Sequence, residues 1–151
     1  MADRLRTDQE LLSGVAITSF RLNGQFLALA ETLTRPVGLT AAWWQVLGAV
    51  LREPLPVSAI AREMGITRQS VQRIADLLVE RGMAEYRPNP AHRRAKLVAP
   101  TQTGHDAVSA LAPAHAAAAA RLVEVMGRAE LDAALDSMHR LTAALDTLTE
   151  D

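Results

Sequence analysis

Leu11, Val15, Leu22, Phe26, Leu29 and Leu33 recur at gaps of three, four or seven residues. That spacing places them along one face and predicts a long first helix ending before Pro36, Val37 and Gly38. Thr40 is a suitable N-cap for a second helix, from Ala41 to about Arg52, whose apolar positions include Trp43, Val46, Leu47, Val50 and Leu51. Pro54 and Pro56 stop it. A short third helix from about Val57 to Met64 buries Ile60, Ala61 and Met64, and Gly65 supplies the tight turn expected inside a helix-turn-helix.

The fourth helix has the best-defined ends. Thr67 caps it, Ile66 and Val71 are spaced for a hydrophobic staple across that cap, and Gly82 is placed to terminate it. Its two sides differ in chemistry: Val71, Ile74, Leu77 and Leu78 fall on one, Gln69, Gln72, Arg73 and Asp76 on the other. One face packs and the other is free to read. Residues 83–87 and 94–99 then suit two short strands, joined by a connection in which Pro88 and Pro90 forbid continued pairing. Thr101, Gln102, Thr103 and Gly104 open an alanine-rich helix reaching about Met126, with Pro113 as a bend rather than an end. After Gly127 comes a last helix, where Leu131, Ala134, Met138, Leu141, Leu145 and Leu148 form the narrow seam of a helix that packs on another helix.

The expected fold is therefore mainly α with a small β-hairpin wing. A winged helix-turn-helix lobe over residues 40–100 is framed by helices at 5–35 and 101–149, all within one domain of 151 residues. Leucine and alanine must do most of the packing, because aromatic residues make up only 3% of the chain. With no cysteine in the sequence, disulfides, thiolate metal sites and thiol redox switches are excluded. No apolar run approaches the roughly 18 residues of a membrane span, and the N-terminus leads into no signal-peptide core, so a soluble, cytoplasmic protein with no membrane partner is expected.

A formal net charge of −1 looks wrong for a nucleic-acid binder until it is resolved along the chain. From Arg62 to Lys96 there are eight basic residues against four acidic ones, a local excess of four positive charges. Local field rather than total charge attracts phosphates. Charge alone does not separate a reading module from an ordinary solvated surface.

Taken together, several segments resemble the MarR family of bacterial transcriptional regulators. They are Leu39-Thr40 with Val46-Leu47, Ala59-Ile60-Ala61, the stretch from Met64 to Val71, Leu78-Val79-Glu80-Arg81-Gly82-Met83, and Arg87 to Lys96 with Thr101 and Gly104. The match is closest from Leu39 to Gly104 and rests on layout alone in the terminal helices. It implies a DNA-binding homodimer with interlocked termini and a cleft for small, often aromatic or phenolic, anions. Two positions depart from the family pattern: His92 stands where an acidic residue is usual, and Pro100 where a leucine is usual. An imidazole does not orient a wing arginine as a carboxylate does, so a looser wing, or one meeting phosphate directly, is expected.

The candidate DNA-binding residues follow from the chemistry of base edges and phosphates. Arginine pairs bidentately with guanine and glutamine with adenine, which makes Gln69, Gln72 and Arg73 the base readers. Thr67, Arg68 and Ser70 sit at a helix N-terminus, where free N–H groups favour a phosphate. His92, Arg93 and Arg94 are assigned to the wing contact with backbone or minor groove. The adjacent Trp43 and Trp44 point about 100° apart on a helix, so one is core and the other a candidate to line an effector cleft; core packing for both is the plainer reading. Arg21 or Arg52 would pair with an anionic effector.

Other functions fare less well. Ser13, Ser58 and Ser109 lack nucleophile surroundings, no phosphate-cradling glycine loop occurs, and no cofactor is implied, so an enzyme is not expected. His92, His105, His115 and His139 are too scattered for a helical ligand pair, which leaves metal sensing through His105 or His115 as a weak alternative. A winged helix used only for protein association is the other, and it predicts no salt-dependent DNA affinity.

Overall fold

The computed structural model describes residues 5–149. Helix α1 spans Asp8–Thr34 and starts in a capping box: Thr7 Oγ1 accepts from Glu10 N at 3.2 Å while Thr7 N donates to Glu10 Oε2 at 2.8 Å. The helix thus lies within the 5–35 span expected for it, starting at the capped Asp8. A 3₁₀ turn, Arg35–Val37, leads to α2, Ala41–Val50, whose N-terminus is held by Thr40 Oγ1, accepting from Trp43 N at 3.1 Å, and by Glu31 Oε1 of α1, accepting from Ala41 N at 2.8 Å.

Strand β1, Leu55–Pro56, comes next, then α3, Val57–Met64, and α4, Arg68–Glu80. The C-terminus of α4 closes as expected at Gly82, whose φ of 71° places it in the left-handed region where glycine has no Cβ penalty. There Met83 N donates to Leu78 O at 2.9 Å and Gly82 N to Val79 O at 3.0 Å, satisfying carbonyls the helix leaves over. Strands β2, Ala84–Arg87, and β3, Leu97–Pro100, form the hairpin, and all pairing is antiparallel in the order β1-β3-β2.

Two expectations change here. The sheet has three strands, the third being the two residues between Pro54 and the α3 helix; Pro56 is tolerated there because β1 is an edge strand and its missing N–H breaks no ladder. The second hairpin strand starts at Leu97, not Arg94, so Arg94, Ala95 and Lys96 belong to the connection rather than to the sheet.

The core is built from α2, α3, α4 and the sheet. Val46, Leu47, Val50, Ile60, Val71, Ile74, Ala75, Leu78 and Val98 are buried together, and every residue expected on the packed side of α4 is buried or half-buried. Each valine, leucine or isoleucine among them contributes about 1.5–3 kcal/mol over its exposed state.

The alanine-rich segment is two helices, not one bent helix: α5, Gln102–Ser109, and α6, Ala112–Met126. Pro113 sits in the first turn of α6, where its missing N–H costs nothing; within a continuous helix its ring would clash with the carbonyl four residues back. The chain divides at this break into one compact unit, Met1–Leu111, and a second, Ala112–Asp151. The second unit is α6 and α7, Arg128–Thr149, which touch each other, and neither has a fully buried side chain. On the α7 seam Leu131, Ala134 and Leu141 are half-buried, while Met138, Leu145 and Leu148 are exposed. Among the described residues no helix is long and apolar enough to cross a membrane.

Gly104 joins α5 to the end of α4. A Cβ there would lie 2.0 Å from the Met83 carbonyl oxygen, and Thr101 ties the same corner by donating to Gly82 O at 2.6 Å while its backbone N donates to Met83 O at 3.1 Å. Because the obstacle is backbone, Gly104→Ala should lower stability by about 1–3 kcal/mol or more. Gly48→Ala, in open space within α2, should instead raise it by roughly 0.5–1 kcal/mol. Denaturant midpoints check both, and a neutral Gly104→Ala would contradict the close approach.

Candidate nucleic-acid interface

The outward face of α4 is set by what its inward face buries. Val71 and Ala75 are fully buried, and Arg68, Gln69, Gln72, Arg73 and Asp76 consequently stand exposed on the opposite side. Thr67 and Ser70 hold the helix start: Thr67 Oγ1 accepts from Ser70 N at 3.1 Å, and its hydroxyl donates to Ser70 Oγ at 2.9 Å. Their side chains are thus engaged with each other, and the N–H groups of Arg68 and Gln69 face outward from the helix end.

Beside α4 stands the wing, the connection over residues 88–96. Its tip is ordered without a carboxylate at position 92. Asn89 Oδ1 accepts from Ala91 N at 3.0 Å, His92 N donates to Asn89 O at 3.2 Å, and Ala95 N donates to His92 O at 3.3 Å. Two successive turns therefore run through the backbone of His92, whose side chain is exposed together with those of Arg93 and Arg94.

Between wing and helix lies a groove of about 650 Å³, lined in part by Pro56, Val57 and Ser58. Arg68, Gln69 and Gln72 enter it from α4, Arg94 and Lys96 from the wing. Of the residues expected from sequence, four meet here (Arg68, Gln69, Gln72 and Arg94). Thr67, Ser70, Arg73, His92 and Arg93 lie outside the lining. Three cations face one carboxylate, that of Asp76, so the groove is positive overall. The neighbouring Arg87 adds little to it, being paired with Glu85 at 2.7 Å.

Tyr86 and Lys96 were not among the expected site residues. Tyr86 projects from β2, donates its hydroxyl hydrogen to Asp76 Oδ1, and accepts from Gln72 Nε2 at 2.9 Å; Gln72 Nε2 also donates to Asp76 Oδ1 at 3.0 Å. The Lys96 ammonium lies 5.8 Å from the centre of the Tyr86 ring, within cation–π reach. On β2 Tyr86 follows the buried Ala84 by two residues and so shares its face, a relation the sequence does not signal by itself.

On α2 the two tryptophans separate. Trp43 packs against the core and carries the Arg81 guanidinium 5.6 Å above its ring, whereas Trp44 is half-buried and outside the core cluster. His105 lies on α5 and His115 on α6, and among the described residues no group of three His, Asp or Glu side chains is placed to hold a metal ion.

A basic groove between a helix-turn-helix and a hairpin wing defines a winged-helix protein. A family model for the MarR family matches residues 37–95, which hold α2 through the wing. Over 126 residues the sequence is 37% identical to the uncharacterized protein Rv2011c of Mycobacterium tuberculosis, covering 83% of this chain and 88% of that one. The fold is shared by CouR of Rhodococcus jostii RHA1, solved with p-coumaroyl-CoA bound, at a TM-score of 0.73, 23% identity and 89% and 95% coverage of the two chains. It is shared also by the transcriptional regulator MosR of M. tuberculosis, solved in complex with DNA, at a TM-score of 0.74, 19% identity and 89% and 97% coverage. The chain belongs to the MarR family: it is a DNA-binding transcription regulator and not an enzyme.

The Asp76 contact leaves a measurable mark on the only tyrosine of the chain. Burial first, then the hydrogen bond and negative charge of Asp76, push the Tyr86 hydroxyl from 10.0 up to about 12, with the Gln72 hydrogen bond opposing. A raised folded-state pKa means that the neutral phenol stabilises the fold fully below pH 10 and that this contribution is lost as pH rises towards about 12. Absorbance titration should place the tyrosinate midpoint near 12, and Asp76→Asn should lower it; an ordinary midpoint in the wild type would contradict the contact.

Proposed function

We propose that the protein is a homodimeric repressor that reads a palindromic operator with α4 of each copy and leaves it when a small aromatic or phenolic anion binds. The observation that carries this reading is the meeting of Arg68, Gln69 and Gln72 with Arg94 and Lys96 in one positive groove. Arg73, exposed one position beyond Gln72, joins Gln69 and Gln72 as a reader of base edges. Thr67, Arg68 and Ser70 set the helix N-terminus against a phosphate, and His92, Arg93 and Arg94 carry the wing to backbone or minor groove.

Dimerisation is supported by what a single copy leaves uncovered. Of the sixteen large hydrophobic side chains exposed among the described residues, fourteen lie on α1, α6 and α7, including Ile17, Phe20, Val125 and Leu148. The reading lobe buries its own apolar residues and needs no partner for stability. A two-helix unit without one fully buried side chain does need one. A second copy, docked through the helices of residues 5–35 and 101–149, meets that need and sets two reading helices about 34 Å apart, one turn of duplex. Repression follows from occupying promoter DNA in the cytoplasm.

Release by a ligand requires only that it bind two lobe spacings with different affinity. Trp44, half-buried on α2 and outside the core cluster, is the residue for that role. CouR, which shares the fold, is solved with p-coumaroyl-CoA, whose acyl group carries a phenolic ring.

Selection of bound fragments from random duplex DNA tests the reading. Arg73→Ala should relax the base preference by roughly 1–3 kcal/mol at one position per half-site, and Arg94→Ala should weaken selected and random duplexes alike while lowering the salt slope by about one. The selected sequence should be palindromic, and the free protein should sediment as a dimer at micromolar concentration. Equal losses on both duplexes for both variants would remove the division of roles, and a monomer bound to a non-repeating site would remove the dimer.

A further inference from the structure

Gln72 is already engaged before any DNA arrives. Its Nε2 bonds both Asp76 Oδ1 at 3.0 Å and Tyr86 Oη at 2.9 Å, and Tyr86 Oη donates to the same Oδ1. The chemistry of these groups dictates which end of the amide faces them. A carboxylate only accepts, and the one hydroxyl hydrogen of Tyr86 is spent on that carboxylate, so both atoms need a donor from Gln72. Nε2 must therefore point to the pair and Oε1 away from it.

Two acceptors bonded to each other subtend a narrow angle at Nε2, well below the roughly 120° between its two N–H bonds, so one N–H serves both. The other N–H and Oε1 remain unspent. Gln72 and Asp76 stand one turn apart on α4, while Tyr86 comes from β2 and is kept in place by Ala84 burial beside it and by Lys96 over its ring. The clamp thus links the reading helix to the root of the wing.

We propose that Tyr86 and Asp76 are positioning residues that set the base preference of Gln72, holding its amide so that Oε1 and one N–H meet a base edge. Adenine complements that pair, with N6–H₂ for the oxygen and N7 for the N–H. Without the clamp the amide turns freely between its two faces and the side chain loses rotamer freedom on binding, so discrimination falls while phosphate contacts stay intact. The inference rests on α4 being the base-reading helix, as proposed above.

The test is duplex selection, with affinities for selected and random DNA, for wild type, Gln72→Ala, Tyr86→Phe and the double variant. Tyr86→Phe keeps the ring and removes only the hydroxyl. It should relax, by roughly tenfold, the same base preference that Gln72→Ala relaxes and no other, leave random-duplex affinity within about twofold, and add nothing in the Gln72→Ala background. Asp76→Asn, which lets either end of the amide face inward, should relax the same base, and it serves if Tyr86→Phe folds poorly. A Tyr86→Phe profile like wild type, or a full further loss in the Gln72→Ala background, overturns the positioning role. If Gln72→Ala leaves every preference of the wild type intact, the base-reading assignment itself has failed and the clamp has no preference to set.

Discussion

Burial of Val71, Ile74, Ala75 and Leu78 along one side of α4 is the constraint on which the rest depends. A helix of 13 residues is marginal alone, so its persistence comes from packing against Leu47, Val50 and Ile60. Because those four positions must face inward, the helix cannot rotate about its axis without exposing them. The direction of Gln69, Gln72 and Arg73 is thereby fixed by hydrophobic burial rather than by any contact of their own. Recognition chemistry here is a by-product of core geometry.

The wing is held to the same core by a different device. Ala84 and Val98 bury the inner face of the hairpin, and the corner at Met83 is closed by Thr101 and by the glycine that lets α5 approach backbone to backbone. Arg94 and Lys96 hang from that fixed root, which is why a connection rich in proline and charge still faces α4 across a groove. The tip needs no acidic residue at position 92, because Asn89 and two backbone turns order it instead. The looser wing expected from His92 is therefore met by local hydrogen bonding that involves no side-chain charge.

Much of this was legible in the chain, for identifiable reasons. Thr67 and Gly82 mark α4 by local chemistry, and its two faces follow from a period of 3.6, so neither needs knowledge of the fold. The rest depends on partners distant in sequence or has weak local contrast. Strand β1 is two residues beside a proline and exists only because β3 passes next to it. The break between α5 and α6 falls in alanine-rich sequence, where periodicity is faint. Tyr86 joins Asp76 and Gln72 from 10 and 14 residues away across a helix end and a turn, a coupling that no spacing rule reports. The period of 3.6 places Gln72 outward as a polar side chain, but its engagement by that pair depends on the sheet.

The central claim is that α4 and the wing act as one surface held by a shared core, and amide hydrogen exchange with and without a selected duplex tests it most directly. DNA should slow exchange together in the first turns of α4 and in residues 88–96, with the buried helices α2 and α3 already protected in the free protein. Protection confined to α4 with the wing unchanged, or appearing on α6 and α7 instead, would contradict it.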